Sequence, residues 1–276
     1  MRTAQSADYF VYNKVGNGTS GQTPDGYAGP LTLINQRSAG INAAGGYYLD
    51  AGSGLLRKII SSAGNVATIA GGGKNYSNQI SYGSPAPAKS VALSNAIAGI
   101  VHDTSFAYFA DASLVYKYSL STGDIDILAG SSTVTGDVDS SDGQDARFAY
   151  NSTSGVGISD LAIDDLYEYL YVCDRGNNKI KTIKLTSPFE VTTVVGTGQT
   201  SRSGVTHGWA FRQDLNDPVG LAFASPYLYI TEHIGNRVMR FDTSSQFIDL
   251  FAGLETGVAD SSGDGGDATS AALSGP

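Results

Sequence analysis

Apolar residues fall in short runs separated by connectors rich in glycine, serine and aspartate. Residues 169–173 (YLYVC) and 179–185 (KIKTIKL) are two such runs, and Asp174-Arg175-Gly176-Asn177-Asn178 lies between them. Aromatic and β-branched residues favour extended strands, while Gly and Asn tolerate the positive φ of a tight turn. The stretch predicts a β-hairpin, and weaker copies of it recur along the chain.

Three anchors measure the recurrence. An acid closes the first strand of each hairpin: Asp50, Asp111, Asp174 and Glu232, at intervals of 61, 63 and 58 residues. A glycine follows an apolar strand at Gly16, Gly71, Gly130, Gly196 and Gly253, at intervals of 55, 59, 66 and 57. A second glycine sits in the connector beyond it, at Gly26, Gly83, Gly143, Gly208 and Gly265, at intervals of 57, 60, 65 and 57. All three agree on a period of about sixty residues. The units run approximately over 16–70, 71–129, 130–195 and 196–252, and 253–276 is left as a further connector. Each unit reads as four strands with little room for helix. The expected fold is all-β, a β-propeller of four-stranded antiparallel blades. About four blades are complete, with an extra N-terminal strand at 9–12 and a C-terminal connector. Blades covered on both faces explain strands without clean apolar/polar alternation.

Composition agrees with this reading. A chain of 276 residues, 41% hydrophobic, is long enough to build a core, and 35 Gly and 16 Tyr against 2 Met favour strands and turns. The formal net charge of -9 repels phosphate backbones and makes nucleic acid a poor partner. No apolar run is long enough to span a membrane. Cys173 is the only cysteine, which rules out an intramolecular disulfide and suits a buried strand position. The N-terminal residues contain no apolar signal-peptide core, yet sequons at Asn17, Asn75 and Asn151 favour an extracellular or cell-surface location.

The pieces GLAFASPYLYITEHIGNRVMRF, DLAIDDLYEYLYVCDRGNNKIKTI and AGLETGVADSSGDGGDATSAALSGP resemble NHL-repeat propellers. The match is strongest from about residue 157 to the C-terminus and weaker over 16–130, where the hairpin turns lack the Asn residues and the turn after Asp111 is two residues shorter. The resemblance implies a propeller that usually closes with six blades. It would make this chain part of a larger ring, whose additional blades come from chain outside these residues. Some propellers similar to this family are zinc-dependent peptidyl-amide lyases, and related folds include lactonases. Their ligand pattern does not map onto this chain, so the resemblance specifies architecture and leaves activity open.

No catalytic motif stands out: G-x-S-x-G, the P-loop and H-E-x-x-H are all absent. Asp50, Asp111, Asp174 and Glu232 recur once per blade, which favours a structural role at turn amides over a metal site. In GDVDSSDGQDAR, Asp137, Asp139, Asp142 and Asp145 resemble a calcium loop. Asp142 occupies the place that requires glycine and no bidentate Glu follows, so a solvated acidic loop is expected. The three histidines, His102, His207 and His233, sit at different repeat positions and do not predict a converging zinc site. No cofactor is implied. Trp209, Tyr169, Tyr171, Tyr227 and Tyr229 are expected in the blade core. Inter-blade connectors and the second hairpin turns should share one face, carrying Asp25, Asp142, His207, Asp264, Arg175 and His233. That face is the expected binding surface, with Arg175, His207, His233 and Asp142 as its candidate residues. The functional expectation is a non-enzymatic scaffold that binds a protein, peptide or glycan. The alternative is a metal-dependent lyase or lactonase-type enzyme whose ligands lie in blades outside this chain.

Overall fold

A computed structural model describes residues 45–50, 53–60, 65–72, 80–94, 97–200 and 207–276, together with the backbone of 36–42. The expected strand at 9–12, Asp25, and the sequons at Asn17 and Asn75 lie outside the described residues.

Four antiparallel sheets follow one another along the chain. The first holds β1 (Gln36–Asn42), β2 (Gly45–Asp50), β3 (Leu55–Ile59) and β4 (Val66–Gly71). The second holds β5 (Ala86–Pro87), β6 (Ile97–His102), β7 (Phe106–Asp111), β8 (Leu114–Ser119) and β9 (Asp124–Gly130). The third holds β10 (Ile158–Ile163), β11 (Tyr169–Asp174), β12 (Lys179–Lys184) and β13 (Val191–Val195). The fourth holds β14 (His207–Trp209), β15 (Pro218–Ala224), β16 (Tyr227–Glu232), β17 (Arg237–Asp242) and β18 (Phe247–Gly253). Each sheet contains a four-stranded meander, to which β5 and β14 add a fifth, outermost strand in the second and fourth sheets, and β1, β6, β10 and β15 lie side by side as the inner strands. The architecture is all-β and propeller-like, as the period predicts.

The repeat extends to irregularities that no sequence anchor marks. Every inner strand breaks register at its start, between Gln36 and Ser38, Ala98 and Ile100, Ile158 and Asp160, and Pro218 and Gly220. Every outer strand carries one unpaired residue near its end: Ile69, Leu128, Val194 and Phe251. Bulges at matching positions bend and twist each blade alike, which lets successive blades stack at a constant angle.

Three buried clusters fill the three spaces between neighbouring sheets. Middle strands feed two of them at once. Phe109 points into the cluster shared with the first sheet, while its neighbour Tyr108 points into the one shared with the third. Val172 and Tyr171 divide in the same way between the second and fourth sheets. The fourth sheet is different. Leu228, Ile230, Met239 and Phe241 are buried, whereas Tyr227, Tyr229, Val238 and Arg240 on the alternate face are partly exposed and Phe251 is 41% exposed.

Each connector runs past the outer edge of the sheet it is about to enter. Ala86 pairs with Ile125, Ser140 with Val191, and Gly208 with Ile248. A short 3-10 turn follows, over Ala88–Ser90, Gly143–Asp145 and Ala210–Arg212. Next a bulky residue is buried: Leu93, Phe148 or Leu215.

The outer-strand glycines have a local cause. Gly71, Gly130, Gly196 and Gly253 have φ of 87°, 97°, 103° and 95°. A Cβ on any of them would overlap the carbonyl oxygen of Gly54, Ser113, Asn178 or Asn236 in the adjacent turn. Only glycine meets both conditions without strain. Gly196→Ala should therefore destabilise the fold by at least about 1 kcal/mol, read as a lower urea midpoint at unchanged m-value.

Candidate functional site

At the turn end of the sheets the strand-end acids are buried. Asp111 accepts the Ser94 amide at 2.8 Å and the Ser94 hydroxyl. Asp174 accepts the Ala149 amide at 3.1 Å and Asn177 Nδ2 at 2.8 Å. Glu232 accepts the Asn216 amide at 2.7 Å and the Arg237 guanidinium. In each case the amide belongs to the residue immediately after the plug, Leu93, Phe148 or Leu215. Asp50 lies 3.5 Å from Arg57 Nε.

The candidates for the expected binding face are dispersed, and Arg175, Asp142 and His233 already make contacts within the protein. Arg175 makes a bidentate pair with Asp217, at 2.6 and 2.9 Å, linking the third hairpin turn to the connector that enters the fourth sheet. Asn178 Oδ1 supports this by accepting the Asp217 amide at 3.1 Å. The same contact recurs one unit later, where Asn236 Oδ1 accepts the Gly275 amide at 2.9 Å. There Gly275 packs on the His233 ring, and a Cβ on it would fall 2.8 Å from His233 Cε1. Asp142 caps the turn Gly143–Asp145 by accepting the Gln144 amide at 2.9 Å. His207 is exposed on β14, and Asp264 is exposed in the last connector. A cavity of about 200 Å³ near the inner strands is lined by Arg175, Ser159 and Gly155–Gly157, and by none of His207, His233 or Asp142. His102 sits at the other end of β6, its Nδ1 3.1 Å from the Asp103 carbonyl. Among the described residues no group of three His, Cys, Asp or Glu is arranged to hold a metal.

The acidic loop departs from expectation. Asp137 and Asp139 are ion-paired and not merely solvated. Lys181, fully buried, donates to Asp137 at 2.9 Å and to Asp139 at 2.6 Å, and Lys179 donates to Asp137 at 2.6 Å. Asp139 also accepts the Thr193 amide at 2.8 Å. The D-x-D of the connector faces the K-x-K of β12 with the same spacing, a signal the sequence carried. Although burial opposes it, the lysines hold both carboxylates below the usual range. Removing Lys181 leaves two like charges side by side. Lys181→Met should cost about 1–3 kcal/mol, less in the Asp137→Asn/Asp139→Asn background, as a double-mutant cycle would measure.

A cavity of about 520 Å³ opens at the opposite end of the strands, between the third and fourth sheets. Its floor includes Tyr171 stacked on Phe223, ring centroids 5.5 Å apart at 20°, with Val194 and Phe241. Thr182, Thr192, Thr243, Ser244 and Gln246 supply hydroxyls and an amide along its walls. Asp165, Leu166, Tyr169, Lys184 and Glu190 also line it, with Ser225 and Pro226. Asp164 shapes the β10–β11 turn by accepting the Glu168 and Tyr169 amides at 2.8 and 3.2 Å. Burial pushes the Tyr171 phenol up to about 12, so it stays protonated at neutral pH. Of the aromatic residues expected in the core, Tyr171 is buried, while Tyr169 is 36% and Trp209 47% exposed.

One position at this end differs between the two neighbouring interfaces. In the third sheet Phe189, with φ 62°, ends the β12–β13 turn and packs against the cluster between the second and third sheets, where Lys117 lies 5.1 Å from its ring. The matching residue of the fourth sheet is Gln246, with φ 63°. Each lies just ahead of its outer strand. The amide leaves unfilled a wedge of the kind the phenyl ring helps to close.

No protein-family model matches the chain, and no curated protein matches it. Solved structures do. A protein of unknown function from Bacteroides thetaiotaomicron matches with a TM-score of 0.53 at 14% identity, covering 96% of this chain and 68% of its own. An auxiliary nutrient binding protein from Bacteroides thetaiotaomicron matches at 0.50 and 12% identity, covering 91% and 63%. Virginiamycin B lyase from Staphylococcus aureus matches at 0.47 and 15%, covering 80% and 57%. The chain thus spans 57 to 68% of these neighbours' lengths. The likeness at TM-scores of 0.53 and 0.50 shows the fold alone.

Burial also sets a pH dependence. It pushes the Asp174 and Asp160 carboxyls from 3.8 up to about 6, against the hydrogen bonds they accept. The folded state then binds protons more tightly than the unfolded chain. This contribution is fully present below about pH 4 and is lost as pH rises through about 6. Asp137 and Asp139 act in the opposite sense, their contribution being lost as pH falls below 3.8. Asp174→Asn should flatten the decline in stability between pH 4 and 7, worth up to about 3 kcal/mol, in urea titrations across that range.

Proposed function

We propose that this chain is a binding module of the NHL-like propeller class, and that the groove between the third and fourth sheets seats a small polar ligand. The observation that carries this reading is the Gln246 wedge. It opens a cavity of about 520 Å³ on a rigid scaffold, within the usual size of small-molecule sites. The groove combines an apolar floor with several convergent polar side chains, the composition that fixes a ligand's orientation. Arg175 and His233, by contrast, are engaged in joining turns to connectors, and Asp142 caps a turn within its own connector.

The same module fits an extracellular setting. Asn151, the described sequon, is exposed in a turn where its Oδ1 accepts the Thr153 and Ser154 amides. Among the described residues no helix is long and apolar enough to cross a membrane.

Gln246→Phe tests the assignment, because Phe189 shows that a phenyl ring is accommodated at this backbone position. The variant should melt no lower than wild type. In ligand-observed NMR with a mixed library of small polar compounds, it should lose the saturation transfer seen with wild type. Transfer that is equal in the two proteins would place binding elsewhere.

A further inference from the structure

We infer that the ligand of this groove is a short neutral oligosaccharide. This rests on the reading of the groove as a ligand seat, and the argument concerns the chemistry of its lining. A pyranose ring presents an apolar C–H face and a polar circumference of hydroxyls, each both donor and acceptor. The groove offers the complement of both. Aromatic surface comes from Tyr169 at the lining and from the half-buried Phe223, whose ring is backed by the buried Tyr171. Such flat, rigid faces accept the C–H side of a sugar with little conformational cost. Around them stand the hydroxyls of Thr192 and Ser244; those of Thr182 and Thr243, which donate to the Thr192 and Pro226 carbonyls and can still accept; and the Gln246 amide, which donates one hydrogen to the Thr243 carbonyl and keeps its oxygen and second hydrogen.

The charges argue against the other ligand classes. An anion would need a cluster of cations, and Lys184 is the only cation among the lining residues. A strongly basic peptide would need carboxylates free to meet it. Asp164, however, is turned into its own β-turn by two backbone amides, leaving Asp165 and Glu190 beside the single lysine. The lining sets Asp164, Asp165 and Glu190 against Lys184, a small negative excess that disfavours anions, and is otherwise rich in neutral hydrogen-bonding groups, which suits an uncharged polyol.

The direct test titrates the full chain with trisaccharides built from glucose, mannose, galactose, xylose or N-acetylglucosamine, using trilysine and triglutamate as charged comparisons, by calorimetry and saturation-transfer NMR. At least one trisaccharide should bind. Tyr169→Ala should weaken it tenfold or more, and Gln246→Phe should abolish it. His233→Ala, at the other end of the strands, should leave it unchanged, and melting curves will report whether each variant is folded. If trilysine or triglutamate binds in a Gln246→Phe-sensitive manner and no sugar does, the groove is a ligand seat but the sugar assignment is overturned. If no probe shows binding that depends on Gln246, or if Tyr169→Ala has no effect on sugar binding, the proposal is likewise overturned.

Discussion

The contact on which the rest of the architecture depends is a buried carboxylate at the end of a middle strand accepting the backbone amide of the incoming connector. Asp111, Asp174 and Glu232 each make it. The bond fixes where a long connector, with few regular hydrogen bonds of its own, turns into an inner strand. Fixing that point fixes the preceding Leu93, Phe148 or Leu215, which plugs the space left as neighbouring blades splay outward. Carboxylates are an expensive choice for this. Burial pushes all three toward the protonated form, and Glu232 is raised even with the Arg237 guanidinium beside it. A neutral side chain of this length, such as Asn or Gln, would offer one acceptor oxygen where these positions use two. The double acceptance offsets part of the desolvation.

The period was legible because the turn chemistry that enforces it is local. Glycines at Gly71, Gly130, Gly196 and Gly253 are demanded by a backbone approach that side-chain variation elsewhere cannot relieve, so they mark each blade at the same point. The αL residues Asn178 and Asn236 likewise announce the longer hairpin turns. The short turn at Ala112 and Ser113 uses a positive φ on alanine instead, which is why the resemblance fades there. The bulges in the inner and outer strands were not legible. A bulge is a register between two strands, and residues as unlike as Gly99, Ser159 and Val219 occupy the equivalent inner position.

The candidate site was much less legible than the fold. Arg175 and His233 stand out in sequence because they vary next to a repeated acid. Variation at a repeat position marks whatever differs between blades, and here it includes how each turn meets the next connector. The partner of Arg175 is Asp217, 42 residues away in a connector with no motif to flag it. The Lys181 cluster was half visible: its two aspartates were conspicuous, while the lysines facing them read as ordinary strand residues. Nothing local distinguishes Gln246 as important. It gains meaning only when superimposed on Phe189, an alignment of two turns that carry no anchor.

That comparison suggests how a repeat scaffold acquires a site without being redesigned. Every blade interface must close a wedge that widens outward, and the connector plugs close it at the turn end only. At the far end the residue ahead of the outer strand differs: Gly123, which has no side chain and lies near the Tyr118 hydroxyl, Phe189 or Gln246. All three positions have positive φ, at 76°, 62° and 63°, so the backbone is held the same way whatever the side chain. The scaffold therefore absorbs a change from phenyl to amide at little cost in stability, since the bonds that set the blade angle lie at the opposite end. Separating the structural contacts from the variable wedge leaves each interface free to be packed or open. The third and fourth sheets have the open form, floored by the aromatic pair Tyr171 and Phe223 that a filled wedge would hide.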